Sequence, residues 1–252
     1  MHIHSEGRSI TGRRQNNEDN LLLAPNLGLY LVADGMGGYH GGEVASALVV
    51  QTFEEFFQET DRDPDMTWPL SQDRDRALVP NLIRAAVALA HQRIQDQRQG
   101  EYNSMGSTVA LVVVRDDHAY LGHVGDSRIY RLRGQTLERM TRDHSLIEEF
   151  RQHSPDMLTD EAIARYSNVI TRAVGFSLNH AKYPPPDLRE ETLAPGDTFL
   201  LCSDGLTERL DDDHLRALLL DTPPERLAET LVQRAYDQGA RDNITAITLR
   251  AA

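Results

Sequence analysis

The chain has 252 residues, 40% of them hydrophobic, which is enough for one large domain or two small ones. Its formal net charge of −13 argues against nucleic acid or an anionic membrane as a partner, because both are polyanions. The single cysteine, Cys202, excludes an intramolecular disulfide and a thiolate metal cluster. The first twelve residues lack the apolar segment of a signal peptide, and no apolar run approaches the roughly 20 residues of a membrane helix. The chain is therefore expected to be cytoplasmic.

Hydrophobic periodicity predicts two strands and two helices in the first third of the chain. The strands are expected at 20–23 and 27–33, and the glycine-rich segment 34–38 is expected to end the second strand as a turn. Helices are expected at 43–57 and 77–98, separated by a polar surface excursion.

The remainder alternates between blocks of strands and pairs of helices. Strands are expected at 109–114, 119–124, 129–132, 188–193, 198–202 and 244–249. An acidic helical segment is expected at 145–166, and helices at 212–220 and 224–237. Strands in blocks joined by short turns, with helices gathered in pairs, predict an antiparallel layered α+β fold rather than alternating βαβ units.

Acidic residues recur where an apolar strand meets a turn. They are Asp34, Asp126, Asp204 and Asp242, with the pair Glu18 and Asp19 just before the first strand. Any one of them is explained by ordinary Asp-Gly turn chemistry. Several carboxylates at one sheet edge would repel one another unless cations lay between them. Carboxylates without paired histidines or cysteines favour Mg²⁺ or Mn²⁺ over zinc.

Two further residues are candidates for the same site. Gly35 follows an aspartate, and the absence of a side chain there would let its backbone carbonyl reach a metal ion. Arg14 carries a planar guanidinium suited to bidentate binding of phosphate oxygens. The alternative is that Arg14 is a surface arginine beside Arg13.

Eight short motifs occur in a fixed order along the chain. They lie at 14–19, 32–38, 106–108, 123–128, 141–145, 170–175, 201–207 and 241–245. Together they resemble the PPM family of metal-dependent protein phosphatases, the type 2C class, and the resemblance covers about residues 5 to 249. The form without appended domains resembles that of the compact bacterial branch of the family.

The resemblance implies a four-layer α-β-β-α sandwich of two antiparallel sheets flanked by helix pairs. It implies one catalytic domain over 1–252, with a flap at about 145–187 beside the cleft. Asp34 would bridge two tightly bound Mn²⁺ or Mg²⁺ ions, Asp204 and Asp242 would complete one of them, and the Gly35 carbonyl and Asp19 would serve the other. The further implied roles are a weaker third metal site at Asp126 with Asp204, phosphate binding by Arg14, and support from Glu18 and Asn243.

The function implied by the resemblance is single-step hydrolysis of phosphoserine and phosphothreonine by a metal-activated water. The expected partners are phosphorylated proteins, substrates of a cognate bacterial serine/threonine kinase, and the expected state is a monomer. Two alternatives are a pseudophosphatase that binds phosphoproteins without turnover and an unrelated acidic binding domain.

The chain departs from the family pattern at the proton donor. Eukaryotic relatives often carry a histidine at the position of Met36, and bacterial relatives commonly carry one directly after the two glycines. This chain has Tyr39 there and His40 one residue later. Either His40 or a water on a third metal would protonate the leaving group. His144 is expected to brace the flap hinge rather than to bind metal.

Overall fold

Two antiparallel β-sheets stack face to face in the computed structural model, which describes residues 1–38, 40–63, 65–70, 72–73, 75–176 and 182–252. The strands are β1 (Ile3–Ile10), β2 (Asp19–Ala24), β3 (Leu29–Met36), β4 (Gly106–Ser107), β5 (Val109–Arg115), β6 (His118–Val124), β7 (Arg128–Arg133), β8 (Thr136–Arg139), β9 (Asp187–Thr192), β10 (Thr198–Cys202) and β11 (Ile244–Ala251). One sheet has the order β1-β11-β10-β7-β8, and the other has β2-β3-β5-β6-β9 with β4 paired to β3.

Two helices cover the outer face of each sheet, α1 (Gly41–Arg62) with α2 (Leu78–Gln97) and α6 (Asp212–Asp221) with α7 (Leu227–Asp237). The shorter helices α3 (Leu146–His153) and α4 (Asp160–Tyr166) belong to the flap, and α5 (Asp204–Thr207) follows β10. One core lies between α1, α2 and the second sheet, one between the two sheets, and one between the first sheet and α6 with α7. The predicted four-layer sandwich with flanking helix pairs is confirmed.

The end of β3 differs from the prediction. The segment 34–36 continues the strand instead of turning, because Gly35 and Met36 pair with Ser107 and Gly106 of β4. Gly35 is needed here for packing, since a Cβ on it would lie 1.9 Å from the carbonyl oxygen of Gly42 in α1. Asp34 therefore sits within a paired strand, whose backbone is more rigid than that of a turn.

Three further differences concern elements with weak patterns. Strand β1 was not predicted because its sequence is largely polar and half-buried, and β8 is a four-residue edge strand. Helix α1 runs to Arg62, beyond the predicted end at residue 57. In this extension Thr60 is buried, and its hydroxyl donates to the backbone carbonyl of Phe56 one turn earlier.

The predicted flap is described from Ser145 to Phe176, and its residues 177–181 lie outside the described residues, as does Tyr39. Ser145 and Thr159 cap α3 and α4 by accepting backbone N–H bonds. Within these described helices no side chain is buried. Among the helices of the described residues, none combines the length and apolar character that crossing a membrane requires.

Candidate metal centre

Carboxylates from opposite sheets meet at one end of the sandwich. Asp19 and Asp34 stand directly opposite each other in the β2–β3 register. Asp204 begins α5 immediately after β10, and Asp242 lies just before β11, the neighbour of β10. Asp34 and Asp204 are in hydrogen-bond contact with each other. Because β2 and β3 belong to one sheet and β10 and β11 to the other, the site spans both.

Asp19 is fully enclosed and held through one of its oxygens. The hydroxyls of Ser203 and Thr245 each donate to Oδ2 of Asp19 at 2.7 Å. Its Oδ1 is buried and has no hydrogen-bond partner among the described residues, and the same is true of Oδ1 of Asp126. A buried acceptor without a donor is costly, so these two oxygens suit a cation that would coordinate them.

Burial and mutual repulsion raise the pKa of these acids. Desolvation raises the pKa of Asp19 and of Asp126 to about 7 and that of Asp204 to about 6, with nearby carboxylates adding to each shift. The pKa of Asp34 is raised well above its usual value by burial and by four neighbouring aspartates. Carboxyls in this state gain most from a nearby divalent charge, because it favours their ionised form.

The spacing of the aspartates suits ions that keep water ligands. Among the described residues, no three aspartates of the cluster bring one carboxylate oxygen each within 4.8 Å of the others. Mg²⁺ and ions like it are often held by one or two carboxylates with several waters. The donor set therefore fits hydrated hard cations better than a fully protein-ligated ion.

The motif 106–108, which has no side-chain metal ligand, holds the backbone of Asp34. The hydroxyl of Thr108 accepts from the Asp34 amide at 3.0 Å, and the Thr108 amide donates to the Asp34 carbonyl at 2.8 Å. Thr108 also exchanges a 2.7 Å hydroxyl bond with Ser127, next to Asp126. The sequence analysis gave the motif 106–108 no role of its own, and in the structure Thr108 links Asp34 to the Asp126 turn.

Asn243 holds the loop that carries Arg14. Its amide donates to the carbonyls of Thr11 and Asn16 at 2.8 Å each, and its Oδ1 accepts from the Glu18 amide at 2.9 Å. Arg14 in turn donates to Oδ2 of Asp242 at 2.6 Å, and this bond raises the pKa of the guanidinium. Arg14 is 58% exposed, so it lies at the surface of the site and can reach a ligand from solvent.

Glu18 lies between the site and the start of α1. Its carboxylate accepts from the backbone of Gly42, and burial is the largest cause that raises its pKa. A Cβ on Gly42 would lie 2.6 Å from the Glu18 carboxyl carbon. Glu18 therefore supports the entry to α1, behind the cluster.

A cleft of about 500 Å³ opens over this cluster. Its walls combine acids, arginines and residues of the flap, namely Arg14, Asp126, Arg128, Asp143, Ser145, Ser167, Asn168, Asp204, Gly205, Thr207, Glu208, Arg241 and Asp242. Arg128 is bonded to Asp143 through Nε and Nη2, the shortest contact being 2.7 Å. The opposite charges of Arg128 and Asp143 compensate each other, and the two side chains form part of the cleft wall. Neither residue was among the predicted site residues.

His144 joins the flap base to the Asp126 turn. The Gly125 amide donates to Nδ1 of His144 at 3.0 Å, so a neutral His144 carries its proton on Nε2, which lies 3.4 Å from Oδ2 of Asp187. His123 stacks on the ring of His144 with centroids 4.5 Å apart.

One possible ligand atom from each of His123, His144 and Asp187 lies within 4.8 Å of the others. Nδ1 of His144 accepts a backbone proton and Nε2 carries one, so neither nitrogen offers a lone pair to a metal. The geometry agrees with a hinge brace. The sequence reading found no histidine pair because these residues lie far apart along the chain.

His40 lies at the entry to α1, away from the cleft wall. It precedes Gly41, is 65% exposed, and its Nδ1 accepts from the Asn16 side chain at 3.3 Å and lies 3.7 Å from Glu43. It is not among the described residues that line the cleft.

An aspartate cluster between two stacked antiparallel sheets, with an arginine at its edge, defines the class of metal-dependent phosphatases. The chain belongs to the protein phosphatase 2C family, whose model matches residues 6–245. It is a metal-dependent serine/threonine protein phosphatase.

Relatives and solved structures agree with this assignment. Protein phosphatase PhpP of Streptococcus pneumoniae is 31% identical over 239 residues, covering 92% of this chain and 91% of that protein. PppA, described as a key regulatory component of T6SS in Pseudomonas aeruginosa, superposes with a TM-score of 0.80 at 35% identity over 100% of this chain and 99% of PppA. The serine/threonine phosphatase PstP/Ppp of Mycobacterium tuberculosis superposes with a TM-score of 0.81 at 27% identity, covering 99% of this chain and 98% of PstP/Ppp. The catalytic domain of PstP has been solved with two manganese ions.

Proposed function

We propose that Asp34, Asp204 and Asp242 hold two divalent cations, Mn²⁺ or Mg²⁺. Asp34 would be shared by the two ions, Asp204 and Asp242 would hold one of them, and the Gly35 carbonyl with Asp19 would hold the other. The single observation that carries this proposal is the buried Oδ1 of Asp19, which has no donor in the described part of the chain. The two manganese ions bound by PstP support the count.

We assign a weaker third cation to Asp126 with Asp204. The Oδ1 of Asp126 is buried without a hydrogen-bond partner among the described residues. The charge of Asp204 is the largest electrostatic cause that raises the pKa of Asp126, which shows that the two carboxylates are neighbours. Asp126 lies on a turn that also contacts the flap base, so this site would respond to the flap.

The bound cations would supply an activated water and neutralise charge on the phosphate. The chain's own residues bind and orient the substrate. Arg14 holds phosphate oxygens with its planar guanidinium, and Asn243 keeps the Arg14 loop in place beside Glu18. Hydrolysis proceeds in a single step. Cys202 is fully buried and its pKa is raised to about 12, which argues against a covalent thiolate intermediate.

The proton for the leaving serine or threonine oxygen comes either from His40 or from a water in the cleft. His40 is bonded to Asn16 and sits outside the cleft wall formed by the described residues. We therefore favour water as the donor. His40 would then order the turn between β3 and α1.

The substrates of this phosphatase are phosphoproteins, and we propose that they are made by a cognate serine/threonine kinase. PppA, the 35% identical structural relative, is described as regulating T6SS. A signalling role linked to secretion is therefore the second candidate pathway. We further propose a cytoplasmic monomer with one catalytic domain over 1–252 and a flap at about 145–187.

Assay of the purified chain with Mn²⁺ tests the proposal directly. We expect hydrolysis of a phosphothreonine peptide that is abolished by chelation, and two to three Mn²⁺ ions per chain by metal analysis. A chain that binds the phosphopeptide without turnover and holds less than one ion would instead be a pseudophosphatase. Unchanged thermal stability on adding Mn²⁺ would contradict metal binding, because a ligand of the folded state must stabilise it.

A further inference from the structure

Arg241 lines the cleft and forms no ion pair with the residues that the structure describes. Two of the other arginines that line the cleft are engaged, Arg14 by Asp242 and Arg128 by Asp143. The Arg241 guanidinium, in contrast, has no hydrogen bond or ion pair with any described residue. An exposed guanidinium beside an acidic cluster, left unpaired by the protein, is available to a ligand.

The backbone under Arg241 is held rigidly. The Arg241 amide donates to Oε2 of Glu208 at 2.8 Å, and the preceding Ala240 is fully buried. On the other side Asp242 accepts from the Asn243 amide at 2.8 Å. The side chain of Arg241 therefore extends from a fixed anchor directly beside a proposed metal ligand, and only its flexible end adapts to a ligand.

Arg241 is also adjacent to the loop that binds phosphate. Gly12 has a positive φ of +64°, and a Cβ there would lie 2.0 Å from the carbonyl oxygen of Asp242. The segments 12–14 and 241–243 are thus in direct contact. A residue in an extended peptide spans about 3.3 Å, so a group one to three residues from a phosphate bound at Arg14 falls within reach of an arginine side chain on this anchor.

Arg13, next to Arg14 in the phosphate-binding loop, lies against an aromatic ring of α7. Arg13 lies with its guanidinium carbon 5.8 Å from the centroid of the Tyr236 ring, and Tyr236 is 37% exposed on α7, close before Arg241 in the chain. The chain as a whole has a formal net charge of −13, which repels acidic peptides in general. An exposed arginine on the cleft edge offsets this repulsion locally.

We propose that Arg241 is a specificity-determining residue that binds an anionic group flanking the phosphoserine or phosphothreonine of the substrate. The group is either a carboxylate of a nearby Asp or Glu or a second phosphate. Both present two anionic oxygens that a guanidinium can bind through paired N–H bonds. This inference rests on the proposed function, since it places the reacting phosphate at Arg14.

Three phosphothreonine peptides that differ only beside the phosphothreonine test the inference. One carries neutral flanking residues, one carries aspartates, and one carries a second phosphate. Wild-type protein and the variants Arg241→Gln, Arg241→Lys and Arg250→Gln are compared with Mn²⁺ present. Arg250→Gln is the matched control. It removes the same charge as Arg241→Gln, and Arg250 is exposed near the far end of β11.

We expect Arg241→Gln to raise KM for the aspartate peptide about two- to fivefold more than for the neutral peptide, the scale of an exposed ion pair. The increase should be larger for the doubly phosphorylated peptide, should shrink at high salt, and should be partly reversed in Arg241→Lys. Arg250→Gln should behave as wild type.

Equal KM changes for all three peptides, or equal effects of Arg241→Gln and Arg250→Gln, would overturn the inference. If Arg241→Gln lowers the melting temperature, the comparison of KM values rests on Arg241→Lys alone. This variant keeps the positive charge but loses the planar guanidinium. Failure of the proposed function has a different signature, namely that wild-type protein hydrolyses none of the peptides.

Discussion

Gly125 and His144 are joined by two reciprocal hydrogen bonds. The Gly125 amide donates to Nδ1 of His144 at 3.0 Å, and the His144 amide donates to the Gly125 carbonyl at 2.9 Å. Gly125 precedes Asp126, and His144 precedes the first flap helix. The carbonyl of His144 also accepts from Thr171, where the described part of the flap returns. The base of the flap and the proposed third metal site are therefore one mechanical unit.

Removing the His144 ring should disturb this unit. In His144→Ala the buried Gly125 amide loses its acceptor, which costs about 1–3 kcal/mol of the free energy of unfolding. The Asp126 turn should loosen with it. We expect a lower midpoint in chemical denaturation and a higher Mn²⁺ concentration for half-maximal activity.

His144→Asn is the matched variant, because its side-chain oxygen can still accept from Gly125 while it no longer reaches Asp187. It should recover most of the stability lost in His144→Ala. Equal stability and equal Mn²⁺ dependence of His144→Ala and wild type would show that the brace has no role.

Replacing Asp34 by Asn should separate activity from stability. Loss of the bridging carboxylate should reduce phosphopeptide hydrolysis by at least about 10²-fold, the scale of a lost electrostatic contact at a reacting group. Without metal the variant should be more stable than wild type, because one buried charge is removed from among four like neighbours. Assay with Mn²⁺ and thermal melts in EDTA measure both effects.

Asp221→Asn provides the control for Asp34→Asn, since Asp221 is exposed at the end of α6. Asp221→Asn should change neither the rate of phosphopeptide hydrolysis nor the thermal stability in EDTA. An Asp34→Asn variant with near wild-type turnover would contradict the assignment of Asp34.

Stability without metal should fall as pH rises. Asp19, Asp126 and Asp204 have folded-state pKa values raised to about 7, about 7 and about 6. Between their ordinary pKa near 4 and these raised values the folded state binds more protons than the unfolded chain, so the free energy of unfolding decreases with pH. The contribution is complete below about pH 4 and lost above about pH 7.

Thermal melts in EDTA between about pH 5 and about pH 8 measure this effect, and each kcal/mol lost lowers the melting temperature by about 2–4 °C in a domain of this size. Mn²⁺ should reduce the decline, since a cation takes the place of the protons. A melting temperature in EDTA that rises over this range would contradict the proposed sign.

Arg14 should be essential for phosphate binding and sensitive to its geometry. Arg14→Gln should lower kcat/KM by about 10²–10³-fold, and Arg14→Lys should recover only part because an ammonium lacks the planar fork. Steady-state kinetics on a phosphothreonine peptide provide the measurement. Arg13→Gln, in the same loop, is the control and should have a much smaller effect. A similar loss in both variants would indicate a general charge effect instead.

The His40 position tests the source of the leaving-group proton. A general acid contributes typically 10²–10⁴-fold, and its loss affects a poor leaving group such as a serine oxygen more than p-nitrophenolate. Because His40 contacts Asn16 and Glu43, we expect His40→Ala to reduce phosphopeptide hydrolysis by less than about tenfold. The ratio of the two substrates is the readout. A loss confined to the phosphopeptide and larger than about 10²-fold would make His40 the acid.

Local patterns in the chain were sufficient for most of the fold. Strand β10 lies at its predicted bounds, β5 and β6 differ by one residue at one end, and α2 differs by one residue at each end, because their apolar runs are long and regular. Strand β1 escaped prediction because only its pairing with β11 through all eight residues makes it a strand. The end of β3 was mistaken for a turn because the partner that extends it, β4, lies about seventy residues away.

The sequence by itself determined which acids are present, their order and the chemistry of their oxygens, because residue type and strand-end position are local properties. Only the tertiary structure decided how they interact. Ser203 and Thr245 are 184 and 226 residues from Asp19 along the chain, yet both bind its carboxylate. Burial and the distances between charges set the raised pKa values, and both arise only when the two sheets pack together.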